Sequence, residues 1–212
     1  MRQELERNLG RRFARLATNA AVRWPLLWRP LRRVMRLQFD RLAPRWDTMR
    51  SPDHLSSFER ALDEVDGSPQ RVLDLGTGTG AAAFSVARRF PGAQVTGADL
   101  SEEMVAEARR KIPPELAERV RFEQADASRL SYDDASFELV TLANMIPFFD
   151  ELARVLAPGG RILFSFSGGP ETPIWVPPER LRTELSRRGF SDFADFQAGP
   201  GTAFLARKQE RV

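Results

Sequence analysis

Apolar and polar positions alternate in two ways along the 212 residues, and the change between them falls near residue 70. In residues 3–20, Leu5, Leu9, Phe13, Leu16 and Ala20 recur at spacings of three and four with arginines around them, which predicts an amphipathic helix. Pro25 and Pro30 interrupt that pattern within Trp24–Pro30 and predict a turn. A second helical stretch covers 31–42, and Ser51-Pro52-Asp53 predicts the start of a helix over 53–65. Beyond residue 70, short apolar runs at 71–75, 94–98, 120–123, 137–142 and 161–166 read as buried strands. Helical patterns at 79–90, 101–111 and 148–156 separate them, and a helix over 178–188 with strands at 190–197 and 201–207 completes the order. Strand and helix alternating across short connections predict an α/β fold with a doubly wound, mostly parallel sheet. Residues 1–50 form an N-terminal helical extension, and 51–212 the main domain.

The glycines sharpen this picture. Val72-Leu73-Asp74-Leu75-Gly76-Thr77-Gly78-Thr79-Gly80 follows a strand and opens a helix, where backbone approaches a ligand closely. Gly76-x-Gly78-x-x-Ala81 also satisfies the dinucleotide fingerprint, so the glycines alone leave an NAD-dependent oxidoreductase open. Asp74 tilts the balance, because a carboxylate there repels a pyrophosphate and attracts a sulfonium and an amino group. Asp99 closes the second strand, placed to accept both ribose hydroxyls of an adenosine. Asp126 follows the third strand, where an adenine amino group could donate to it. Leu156–Arg161, with Pro158-Gly159-Gly160, ends a helix and turns into a strand.

Together these motifs resemble the class I S-adenosylmethionine-dependent methyltransferases, in the small-molecule branch that includes ubiquinone- and menaquinone-biosynthesis enzymes. The resemblance spans about residues 40–207. It implies a Rossmann-like seven-stranded sheet with its last strand antiparallel, and S-adenosyl-L-methionine as cofactor. It further implies that Asp74, Gly76, Thr77, Gly78 and Gly80 line the methionine end, that Asp99 holds the ribose and that Leu100 packs on the adenine. Asp126 and Ala127 would meet the adenine edge, and Asn144 a further polar part of the cofactor. Ala143-Asn144-Met145 lacks the arginine that the quinone enzymes carry there, and the helix that follows is shorter. Trp46-Asp47 resembles the aromatic–acid pair that opens those enzymes over the cofactor.

Candidates for the acceptor side are Trp46, His54, Met145, Phe148 and Trp175, of which His54 is the sole histidine and so the one imidazole base available. No residue announces itself as catalytic, as expected where the cofactor supplies the reactivity and the protein supplies orientation. The apolar residues around Met145–Phe149 and Trp175 predict a small lipophilic acceptor.

Charge adds a partner question. Residues 1–50 hold thirteen arginines against four acids, a surplus of nine, so a total of +3 leaves the rest of the chain at −6. Such an arm is a self-packed lid over the site, a peripheral membrane contact, or, less favoured, a nucleic-acid contact. A non-catalytic adaptor that binds membrane or RNA through the arm is the alternative to an enzyme. The absence of cysteine removes disulfides, thiolate metal sites and thiol nucleophiles. No metal constellation, signal segment or membrane-length apolar run is visible, and a cytoplasmic protein is expected.

Overall fold

The computed structural model describes residues 28–210, so the helix expected over 3–20 lies outside the described residues. Seven strands form one sheet in the order β3-β2-β1-β4-β5-β7-β6: β1 (Arg71–Leu75), β2 (Gln94–Asp99), β3 (Val120–Gln124), β4 (Phe137–Ala143), β5 (Leu156–Phe166), β6 (Phe190–Ala198) and β7 (Gly201–Lys208). β1 to β5 run parallel, while β7 is antiparallel to both of its neighbours, β5 and β6. This is the doubly wound sheet that the pattern predicts, with the antiparallel last strand that the resemblance implies.

The central strands read as nearly continuous apolar runs because both faces are covered. One face buries Leu73, Val140, Leu142, Ile162 and Phe164 beneath Phe149, Leu152 and Leu181. The other buries Val72, Leu139, Leu163 and Leu205 beneath Phe58, Leu62, Val86 and Ala87. The helices that supply these covers are α2 (Ser56–Asp63), α3 (Ala81–Arg89), α4 (Glu102–Arg110), α5 (Phe149–Val155) and α6 (Pro178–Ser186). They follow α1 (Trp28–Leu42), which lies across the carboxyl ends of the strands and buries Trp28 and Met35.

Three boundaries differ from expectation. Pro30 does not break a helix; it stands in the first turn of α1, where its missing N–H has no partner to lose. The helix expected over 53–65 is shorter, because 51–55 turn before Ser56 and Leu55 provides no side-chain cap. The last parallel strand pairs from Leu156 rather than Arg161: Leu156 meets Phe137, the chain bulges at 157–160, and pairing resumes between Arg161 and Leu139. Gly159, at φ +75°, makes that bulge possible.

Candidate functional site

The carboxyl ends of β1, β2 and β4 meet where the strand order reverses, the position at which such sheets bind ligands. After Leu75 the backbone turns back on β2: Gly76 and Thr77 N–H both donate to the Ala98 carbonyl, and Gly78 N–H donates to Asp99 Oδ2 at 2.9 Å. Gly76, Gly78 and Gly80 all have positive φ. A Cβ on Gly78 would stand 3.2 Å from Trp46 Nε1 and 3.3 Å from Arg50 Nη2, and one on Gly76 would collide with Met145. The glycines therefore shape a narrow cradle, and Trp46, Arg50 and Met145 pack directly into the space that side chains there would take.

Two carboxyls flank this cradle, one buried and one partly buried. Asp74 is fully buried and accepts one hydrogen bond from Thr141 Oγ1 at 2.8 Å, while its Oδ2 has no partner. Burial pushes its pKa up to about 6; Asp99 adds to the rise, and Thr77, Thr141 and Arg50 oppose it. Asp99 is also raised by burial, although N–H groups of Ser101 and Gly78 stabilise its charge. The Thr77 hydroxyl, near enough to Asp74 to favour its charge but outside hydrogen-bond geometry, and Trp46 Nε1 are likewise buried without partners. Unused polar atoms of this kind are rare in a finished interior and are expected where a ligand belongs.

Arg50 is the opposite charge in the site. Its guanidinium lies over the Trp46 ring, 5.1 Å from the centroid, and Asp47, Asp74 and Asp99 act on it electrostatically. It forms no ion pair within 4 Å among the described residues. Burial lowers its pKa and the carboxylates resist that, so a partly desolvated cation is held beside Gly78. The nearby Asp47 is tied to Thr79 Oγ1 at 2.5 Å and to Lys111 Nζ at 2.6 Å, which pins the Trp46–Arg50 segment to the glycine loop.

The remaining expected residues fall into three groups. Trp46 and Met145 stand at the cradle, as just described. His54 lies one turn from Arg50: its Nδ1 is 2.7 Å from the Ser51 carbonyl, so Nδ1 carries the proton and Nε2 accepts from Arg50 Nη1 at 3.3 Å. That lone pair is engaged, which argues against the role of base considered above. Phe148 packs edge-on against Trp28 at 5.1 Å, and Trp175 joins the same apolar cluster with its Nε1 unpartnered. Leu100 and Ala127 also border that cluster.

Asp126 and Asn144 are more engaged than the sequence suggested. Asp126 Oδ1 accepts from Trp28 Nε1 (2.9 Å) and from Ser128 N and Oγ, and Arg32 Nη1 pairs with Oδ2 at 3.1 Å. Burial disfavours its charge, but these donors outweigh that and hold it below the usual carboxylate range. A ligand amino group would have to share the carboxylate with α1. Asn144, at φ +54°, turns its Oδ1 to Ser167 N (2.9 Å) and Oγ (3.2 Å), and so fastens the end of β4 to the end of β5. Asn is among the few residues that adopt this backbone readily.

Sequence reasoning passed over Thr141, Arg50, Trp28 and Arg32. Thr141 is in register with Asp74 across β1 and β4, a signal available once the strands are aligned. A separate cavity of about 460 Å³ opens at the opposite end of the sheet, between 65–69, Glu138, 158–161 and Arg207. Its charged walls neutralise one another through Arg161–Asp66 and Arg207–Glu210 pairs, and it is remote from the glycine loop. No group of three or more metal-ligating side chains occurs among the described residues.

Known proteins share this architecture. Residues 72–160 match a methyltransferase domain family. A demethylmenaquinone methyltransferase of Thermus thermophilus is 42% identical over 140 residues, covering 59% of this chain and 62% of that protein. A malonyl-[acyl-carrier protein] O-methyltransferase of Halorhodospira halophila is 37% identical over 150 residues, covering 66% of this chain and 50% of that one. The fold superposes on an S-adenosylmethionine-dependent methyltransferase from Aquifex aeolicus with a TM-score of 0.65 at 18% identity, over 78% of this chain and 97% of the other. The chain spans less than two thirds of the length of these curated relatives. The likeness to class I S-adenosylmethionine-dependent methyltransferases drawn from the motifs is upheld.

Proposed function

We propose that the chain is an S-adenosylmethionine-dependent methyltransferase acting on a small lipophilic acceptor. The observation that carries this reading is the arrangement at the glycine loop: buried Asp74 with an unused oxygen on one side, partly desolvated Arg50 on the other. An amino-acid end that carries both an ammonium and a carboxylate complements that pair, whereas a pyrophosphate would meet the negative charge of Asp74 and Asp99. Asp74 and Thr77 hold the amino group, Arg50 the carboxylate and Asp99 the ribose hydroxyls, and Met145 and Trp46, which now pack against Gly76 and Gly78, shift to admit the chain between. When bound, the cofactor supplies an electrophilic sulfonium methyl group for in-line displacement.

The protein's part is orientation and the exclusion of water. Residues 28–50 serve as the lid: Trp28 and Arg32 fasten α1 to Asp126, and Asp47 fastens the following turn to Thr79. A lid held by polar contacts at both ends keeps the reacting groups dry and in line. Met145, Ile146, Phe148 and Trp175 give the acceptor side its apolar character. The relatives named above act on acceptors of different chemistry, so the apolar side chains at 145, 146, 148 and 175, rather than either name, are the basis for a lipophilic acceptor. A base is required only for an acceptor that enters protonated.

Calorimetric titration with S-adenosylmethionine, S-adenosylhomocysteine and NAD tests the cofactor. The two sulfur ligands are expected to bind and NAD to fail. Asp99→Ala should weaken the sulfur ligands by about 10²-fold, the loss expected for two hydrogen bonds to a charged acceptor. NAD binding, or indifference to the substitution, would overturn the reading.

A further inference from the structure

We propose that the outer face of α1 is a docking surface for an anionic lipid bilayer, a role separate from the cofactor chemistry. Among the described residues the large apolar side chains left exposed are Val34 (51%), Leu37 (43%) and Met49 (62%), all within the segment 28–50. The buried and half-buried positions Trp28, Leu31, Met35, Phe39 and Leu42 recur at threes and fours and define the inner face. Pro30, Arg33, Val34, Leu37 and Arg41 recur likewise on the opposite side, and all are exposed, as is Arg36 beside them.

The outer face carries no acid. The one carboxylate of α1, Asp40, is turned away to accept from Ser101 Oγ at 2.6 Å, and Arg32 is paired with Asp126. Arg33, Arg36 and Arg41 form no ion pair within 4 Å among the described residues. A helix with cations flanking solvent-exposed Val and Leu is the composition that lies in a lipid interface, cations at the headgroups and apolar side chains below them. The interleaved apolar residues decide between anionic partners. A nucleic acid would use the arginines but has no place for Val34 and Leu37, and a single strand would in addition call for exposed aromatics on which to stack. The aromatics of α1, Trp28 and Phe39, instead face inward. Charge complementarity and exposed apolar side chains thus point to one occupant, and no helix among the described residues is long and apolar enough to cross the bilayer.

The same helix holds Asp126 with its inner face, so docking brings the covered cleft to within one helix diameter of the lipid.

Flotation of the full chain with phosphatidylcholine vesicles, with and without phosphatidylglycerol, is the test. Binding is expected only where phosphatidylglycerol is present, falling as salt rises. Arg33→Glu/Arg36→Glu/Arg41→Glu should weaken it by about 10²-fold, at about fivefold per basic residue, and Val34→Ser/Leu37→Ser by several-fold. Unchanged thermal unfolding of both variants separates lost docking from lost folding. The chain has no cysteine, so a Leu37→Cys variant carrying an environment-sensitive fluorophore should blue-shift on anionic vesicles, while a label at Glu115→Cys should not. Absence of flotation, equal flotation of parent and variants, binding indifferent to phosphatidylglycerol, or capture by RNA but not vesicles would each overturn the proposal. None of these readouts involves a cofactor, so a failed titration above and failed flotation here are distinguishable.

Discussion

Asp74→Asn is expected to make the protein more stable and to weaken cofactor binding sharply at the same time. A carboxyl raised from 3.8 to about 6 by burial is a charge the fold holds at a cost at neutral pH. By linkage that cost is roughly 3 kcal/mol, since each pKa unit is worth about 1.4 kcal/mol. The folded state binds the proton more tightly than the unfolded state, so Asp74 makes no such demand below its unfolded value. Its destabilising contribution grows as pH rises from about 4 to about 6 and is then constant. Asparagine keeps the shape, can accept from Thr141, and offers an amide donor to the unpartnered Thr77 hydroxyl. At pH 7.5 the variant should be more stable than the parent by about 1–3 kcal/mol, or several degrees in Tm at about 2–4 °C per kcal/mol. The gap should close as pH is lowered from 6 to 4, as denaturant titrations of both proteins would show. Affinity for S-adenosylhomocysteine should fall by about 10²-fold or more, because the ligand's ammonium loses a desolvated counter-charge. In the parent it should weaken as pH falls below about 6. A variant that is less stable at neutral pH, or that binds normally, would remove Asp74 from the role given it.

Gly97→Ala is expected to produce a large loss of stability from the addition of a single methyl group. Gly97 sits in β2 opposite Asp74 on one side and Phe122 on the other. A Cβ there would stand 2.4 Å and 2.5 Å from atoms of the Phe122 ring and 2.8 Å from Thr77 Oγ1. The same ring approaches to 2.7 Å of where a Cβ on Gly80 would be, and Phe84 closes its other side edge-on at 5.6 Å. One aromatic ring on β3 therefore fills the space vacated by two glycines, one in the sheet and one in the loop. Overpacking of this kind costs about 1–3 kcal/mol or more; here the upper end is expected, because the ring has no free volume to retreat into. The fall in Tm should be about 6–12 °C at the scaling given above. Moving the ring would also displace the loop, so cofactor affinity should drop together with stability. Gly97→Ala/Phe122→Leu should recover part of the loss relative to the sum of the single changes, the signature of a contact pair. A full loss that Phe122→Leu does not relieve would place the strain elsewhere.

What the sequence disclosed and what it withheld follow from distance along the chain. The glycine loop, Asp74 and Asp99 were legible because a strand end, a turn and a helix start are local events with local residue requirements. The strand boundaries were legible for the same reason, since both faces of the parallel strands are buried and their runs stand out. Arg50 and Trp28 carried no such mark. Trp28 meets Asp126 across 98 residues, and nothing in either neighbourhood announces the other. Pro30 was misread because its effect depends on where in a helix it falls, which the pattern around it does not reveal. For His54 the residue type offers a base, but its hydrogen bonds, which bind it to Ser51 and Arg50, have no mark in the sequence.

The place of β7 has a consequence for how the chain is made. It is the last of the seven strands in order of synthesis, yet it lies between β5 and β6, and β6 has no other neighbour in the sheet. Until residues 201–208 have emerged from the ribosome, β5 is an open edge and β6 has nothing to pair with. A nascent or truncated chain that ends before Gly201 therefore exposes apolar strand surface with unpaired backbone, the state in which chains recruit one another. Quality control during synthesis should accordingly recognise this protein late, and a stalled product should partition with chaperones or aggregates rather than as a smaller folded domain.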